Sequence, residues 1–212
     1  MNEDVLLVRT GVANVASVSA ALRRLGVTPR LSADPGELRS ARAVVLPGVG
    51  AFAAGMGRLE AEGLVAPLRA RVERGEPTLA VCLGLQLLGI ESEEAPGVAG
   101  LGVAPTRTRR LLDAPRLPHF GWNRVEPGPG CELVGAGDAY FAHSFRLDDG
   151  PTLAAERWSV ARSFEGGPFV AAIERGAVLG CQFHPELSGP YGEALLERWL
   201  VRAGVACAGG VS

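Results

Sequence analysis

Thr78-Leu79-Ala80-Val81-Cys82-Leu83-Gly84-Leu85-Gln86-Leu87-Leu88 carries an apolar run of strand character directly into a helical pattern, with Cys82 at the junction. Ala80 and Gly84, two positions to either side, are small enough for the sharp strand-to-helix turn that lifts a nucleophile clear of a sheet. The start of the helix favours thiolate over thiol and presents the backbone N–H of Leu83 to a developing oxyanion. A free cysteine that closes a buried strand is as often a small core hydrophobe, so this stretch alone supports either reading.

Towards the N-terminus the pattern alternates. Residues 5–8 read as a strand, 15–25 as an amphipathic helix ending at Gly26, and 29–31 and 43–46 as strands; helical segments fall within 54–74, and 78–81 is a further strand. This β-α-β-α-β rhythm predicts a parallel sheet covered by helices. Beyond about Leu101 the runs are short, alternating and separated by Gly and Pro, as at 140–145, 152–156, 169–174 and 178–183, which predicts an antiparallel or mixed extension. A helix over 191–203 closes the chain. The fold class is therefore α/β, with a mostly parallel central sheet flanked by helices, as a single domain over 1–204 and a tail at 205–212 expected to be disordered.

Composition narrows the function. The chain has 212 residues with 47% hydrophobic, enough to bury a core, and a net charge of −2, which offers no basic footprint for nucleic acid. All of the basic residues are arginine, which reads as coding bias rather than function. The N-terminus has neither a signal-peptide pattern nor a membrane span, so a cytoplasmic location without membrane association is expected. The four cysteines, Cys82, Cys131, Cys181 and Cys207, form no Cys-x-x-Cys pair, and no histidine cluster accompanies them, so neither a metal nor another cofactor is expected.

A thiol nucleophile needs a base. In Cys181-Gln182-Phe183-His184-Pro185-Glu186 an extended backbone points residues i and i+2 to one side, so Glu186 can hold the imidazole of His184 in one tautomer. Cys82, His184 and Glu186 then form nucleophile, base and orienter. His143 has no adjacent carboxylate and reads as a pocket residue, and His119, among turn-forming residues, as a surface or interface residue. The loop Pro47-Gly48-Val49-Gly50-Ala51-Phe52 ends a strand at the carboxyl edge of the sheet, where ligands bind in open α/β folds. It lacks the Gly-Lys-Ser/Thr of a phosphate loop and is better read as an amide donor to an oxyanion.

Taken together, Cys82-Leu83-Gly84-x-Gln86, Pro47-Gly48-x-Gly50 and His184-Pro185-Glu186 resemble the class I, triad-type glutamine amidotransferases, whose fold is flavodoxin-like. Within that class, Pro47 to Phe52, Pro118-His119-Phe120-Gly121-Trp122-Asn123 and Tyr140-Phe141-Ala142-His143-Ser144-Phe145 are most similar to the glutaminase subunits of imidazole glycerol phosphate synthase. The resemblance implies hydrolysis of glutamine through a γ-glutamyl thioester on Cys82, with Leu83 and Val49 as oxyanion donors. It implies substrate contacts from Gly50, Gln86, Ser144 and Phe145. It also implies a heterodimer with a (β/α)8-barrel cyclase that receives the ammonia, met by Asn14, Trp122, Asn123 and Tyr140. The alternatives are a glutaminase serving pyridoxal phosphate, anthranilate or purine synthesis, or a catalytically silent docking module.

Several residues depart from the family pattern. Leu187 stands where lysine is usual, Arg9-Thr10-Gly11-Val12-Ala13-Asn14 replaces Asp-Tyr-Gly-x-Gly-Asn, and Ala80 replaces glycine. Turning the Gly48–Val49 peptide to aim its N–H at an oxyanion drives a β-branched residue to positive φ, at a cost of about 1–3 kcal/mol. The oxyanion site is therefore expected to be unformed at rest and the free subunit to be a poor glutaminase.

Overall fold

The computed structural model of the chain describes residues 5–9, 14–112 and 114–206. The departures at residues 10–13, and the tail from Cys207 onwards, lie outside the described residues.

Strand β1 (Val5–Val8) leads to helix α1 (Val15–Arg24), whose N-terminus is capped by Asn14 Oδ1 accepting from the Ser17 N–H at 3.3 Å. Gly26, at φ 80°, ends that helix by a left-handed turn. Then come β2 (Arg30–Ser32), α2 (Pro35–Ser40), β3 (Ala43–Gly48), α3 (Phe52–Ala61), α4 (Val65–Glu73), β4 (Thr78–Cys82) and the short α5 (Leu83–Leu87). Helix α2 was not read from the sequence, although Asp34-Pro35-Gly36-Glu37 carries its signal. Asp34 Oδ1 accepts from the Glu37 N–H at 2.8 Å, and Pro35 sits in the first turn, where no N–H is needed.

The second half contains β5 (Thr108–Arg110), β6 (His119–Pro127), β7 (Gly137–His143), β8 (Phe145–Leu147), α6 (Pro151–Ala155), β9 (Ser159–Glu165), β10 (Gly167–Arg175) and β11 (Val178–Cys181). A single 3₁₀ turn (Pro185–Leu187) and α7 (Gly189–Arg202) follow. Two expectations are corrected here. The run 152–156, read as a strand, lies in α6 apart from its last residue, because Pro151 fixes the φ of a first helical turn and Leu153 alone of that helix is buried. The run 140–145 is broken at Ser144, so that β7 belongs to the large sheet and β8 pairs with β5 in a separate ribbon.

Among the described residues nine strands form one sheet in the order β2-β1-β3-β4-β11-β10-β9-β6-β7. The pairs from β2 to β11 are parallel, and those from β11 to β7 are antiparallel. Alternate residues feed the two faces. Val5, Leu7, Val45, Leu79 and Val81 pack under α1 and α7, while Leu6, Val8, Val44, Leu46 and Ala80 pack under α2 to α5. The core runs one residue past the expected end of the domain, because Val205 is 2% exposed and returns its N–H to Leu200. No helix among the described residues is long and apolar enough to cross a membrane.

Candidate active site

Three parallel neighbours, β3, β4 and β11, end at one edge of the sheet. Their register pairs Gly48 with Cys82 and Val81 with Cys181, so the glycine loop, Cys82 and the segment bearing His184 leave the sheet side by side. Cys82 closes β4 and caps α5 at φ 53°, ψ −108°, a conformation that L side chains avoid and that costs on the order of 1–3 kcal/mol. The turn can be this sharp because Gly84 lies against β3, where a Cβ would collide with the Leu46 carbonyl oxygen.

His184 Nδ1 lies 2.9 Å from Glu186 Oε1, and both side chains are almost fully buried. The carboxylate accepts from Nδ1, which leaves Nε2 of the imidazole for Cys82. Burial lowers the His184 pKa, but hydrogen bonding and charge from Cys82 and Glu186 outweigh it and raise it to about 10. The imidazole is thus protonated at neutral pH, with Cys82 and Glu186 as its partners. The backbone is pinned as well: the His184 N–H donates to the Tyr140 carbonyl at 2.9 Å, and Ser188 Oγ donates to the His184 carbonyl at 2.6 Å. Glu186 Oε2 is buried without a hydrogen-bond partner among the described residues.

A cavity of about 560 Å³ opens at this edge, and Val49, Gly50, Cys82, Leu83, Gln86, Ser144, Phe145 and His184 all line it. Glu186 stands behind His184 and does not. Sequence reading missed Glu94, which also lines the cavity and whose Oε2 accepts from the Phe52 N–H at 2.8 Å. Its signal, the acidic run Glu91-Ser92-Glu93-Glu94, does not say which acid turns inward. The fold decides, since Glu91 pairs with Arg107 and Glu93 with Arg109, leaving Glu94 to the cavity.

The expectation for His119 is corrected: it is 5% exposed, because it begins β6 opposite His143 in β7. His143 Nδ1 is 2.9 Å from the Phe145 carbonyl, and a carbonyl only accepts, so Nδ1 carries the proton. Nε2 then accepts from His119 Nδ1 at 3.1 Å. Burial depresses both imidazoles, that of His143 to about 4. With both nitrogens occupied, His143 is a neutral partner of Phe145, and it lines the cavity as a pocket residue.

Residues 10–203 match the family model for glutamine amidotransferase class-I. The chain belongs to the class-I glutamine amidotransferases. It is 42% identical over 200 residues to imidazole glycerol phosphate synthase subunit HisH of Moorella thermoacetica, covering 92% of this chain and 93% of that one. To the subunit of the same name from Xylella fastidiosa strain Temecula1 it is 43% identical over 204 residues, covering 93% and 96%. Among solved structures, a crystal structure of a glutamine amidotransferase shares the fold at a TM-score of 0.73 with 24% identity, over 94% of this chain and 99% of that one.

In this class-I amidotransferase the residues assigned to a partner interface stand apart from the cavity lining. Trp122 is 56% exposed and meets Tyr140 edge-on, at 5.9 Å between ring centroids. The Asn123 amide is turned to its own chain, donating to the Phe164 carbonyl at 2.6 Å and to Glu165 at 3.1 Å. Asn14 is exposed as the cap of α1. Leu187, where lysine is usual, is 41% exposed just beyond Glu186.

Proposed function

We propose that this chain is the glutaminase subunit of an imidazole glycerol phosphate synthase in histidine biosynthesis, and that it delivers ammonia to a (β/α)8-barrel cyclase. The observation that carries the reading is the meeting of Cys82, His184 and Glu186 at one sheet edge beside a cavity, in a chain this similar to subunits of that name. A cytoplasmic location goes with it.

In the reaction, Cys82 Sγ adds to the side-chain amide carbon of glutamine as a thiolate. The oxyanion that forms takes N–H donors from Leu83 and, once its peptide has turned, from Val49. His184 gives its proton to the departing nitrogen, so that the C–N bond breaks to release ammonia and leave a γ-glutamyl thioester. Water then attacks the thioester carbonyl with His184 as base, freeing glutamate and restoring the thiolate–imidazolium pair. Glu186 holds the imidazole in the tautomer both steps need. Gln86, Gly50, Ser144 and Phe145 seat the amino-acid end of the substrate, and the Glu94 carboxylate suits an α-ammonium group. Asn14, Trp122 and Tyr140 face the cyclase, and Asn123, bound to Phe164 and Glu165, braces the strand that carries Trp122.

The test is glutamate release from glutamine by the purified chain, alone and with a cyclase barrel carrying its ribonucleotide ligand, with Cys82→Ala as control. Strong stimulation by the barrel that vanishes in Cys82→Ala is the expected result. Activity that survives the substitution overturns the nucleophile, and stimulation by a different acceptor synthase overturns the pathway.

A further inference from the structure

Gln182 follows Cys181, the residue that β11 sets opposite Val81, so the sheet register places it beside Cys82. It is fully buried, and its amide orientation follows from its neighbours. The Phe145 carbonyl can only accept, so the Gln86 atom 2.9 Å from it is Nε2. Gln86 Nε2 is therefore a donor, and the Gln182 atom 3.2 Å away must be the acceptor Oε1. That leaves Gln182 Nε2 facing the Cys82 sulfur at 3.7 Å. The same sulfur lies 3.9 Å from the Ala142 carbonyl. A protonated thiol donates to that carbonyl; a thiolate instead accepts from Gln182.

We propose that Gln182 is a further residue of the catalytic machinery, one that stabilises the Cys82 thiolate by an N–H···S hydrogen bond and fixes the Gln86 carboxamide with its Oε1 left to the substrate. The polarity of this chain is set at Phe145, which lines the substrate cavity at the start of β8, and it ends with a donor on sulfur. Occupation of the cavity and charge on the nucleophile are thereby linked through two buried amides. The inference rests on Cys82 being the nucleophile.

The test is alkylation of Cys82 by iodoacetamide in the full-length chain, followed on the Cys82 peptide by mass spectrometry as a function of pH. Gln182→Met removes the donor at similar volume, and Gln182→Glu keeps an acceptor for Gln86 while turning a carboxylate to the sulfur. The other titratable groups around the sulfur, His184 with Glu186 behind it, His143 and Glu94, are unchanged in both. The midpoint of alkylation is expected to rise by about one pH unit in Gln182→Met, slowing alkylation about tenfold at pH values below the midpoint, and to rise further in Gln182→Glu. In parallel kcat for glutamine falls by more than KM rises. An unchanged midpoint in both folded variants overturns the proposal, since a purely structural role lowers stability without moving it. If neither variant folds, the side-chain amide resonance of Gln182 in the unmodified chain decides: it must shift as Cys82 ionises and stay fixed in Cys82→Ala, and a resonance indifferent to Cys82 overturns the proposal. Failure of Cys82 to react with a glutamine-analogue electrophile in the cyclase complex overturns the nucleophile reading instead.

Discussion

In the proposed reaction Val49 sets the resting state of the oxyanion site. Among the described residues the non-glycine positions at positive φ are Cys82 and Arg157, so Val49 keeps an ordinary backbone, while its neighbour Gly50 carries φ 91°. Turning the Gly48–Val49 peptide over transfers the left-handed geometry to a β-branched residue, at about 1–3 kcal/mol. Val49→Gly is predicted to raise glutamate release by the isolated chain about tenfold, since each 1.4 kcal/mol removed from such a step is worth that factor. It should shrink the stimulation given by a cyclase barrel correspondingly. An isolated-chain rate that does not change would show that the peptide turn does not limit turnover. Cys82 already holds its strained conformation, because the strand before it and the helix after it are both buried.

Helix α5 spans only five residues, too short to hold itself together, so its position depends on contact with β3. Gly84 is the point of contact, and Gly48 mirrors it from the strand, where a Cβ would come within 2.8 Å of the Gly84 nitrogen. Gly84→Ala forces the two elements apart. Urea unfolding should register a loss of about 1–3 kcal/mol, the usual range for overpacking, and glutamate release should fall further than stability alone explains because the Leu83 N–H moves with the helix. Stability equal to the unmodified chain would show that α5 can yield without cost. The elements also differ in legibility. Strands β1, β3 and β4 are continuous apolar runs flanked by breakers, readable because both faces of a parallel sheet are covered. The long strand β6 was not read, since its burial alternates irregularly and Gly121 and Asn123 interrupt it.

Across the whole molecule two histidines bound the range of pH stability from opposite sides. His184, raised to about 10 from 6.5, stabilises the fold fully below about pH 6.5, and this is lost as pH rises towards 10. His143, depressed to about 4, favours the fold above about pH 6.5, and its contribution is lost as pH falls towards 4. At full extent the alkaline limb is worth on the order of 5 kcal/mol and the acid limb on the order of 3 kcal/mol. Thermal unfolding measured from pH 4 to pH 10 should therefore give a dome centred near neutrality. Glu186→Gln should flatten its alkaline limb and His143→Asn its acid limb. Alkaline and acid limbs that survive these substitutions would assign the dome to other groups.

The local pattern of this chain was sufficient for its α/β class and the strand-to-helix turn at Cys82, because each depends on residues adjacent in the chain; His184 and Glu186 do meet, but across a 3₁₀ turn that begins at Pro185 and not along the extended backbone expected. The apolar runs and small flanking residues specify those features whatever surrounds them. Placing Glu94 rather than Glu91 or Glu93 in the cavity, burying His119 against His143 and setting Gln182 on the Cys82 sulfur were decided only by tertiary structure. Each depends on strand register or on which charges find partners elsewhere, and segments as distant as residues 82 and 182 meet only once β4 and β11 have paired. The sequence determined which groups were available for chemistry; the sheet decided which of them face one another.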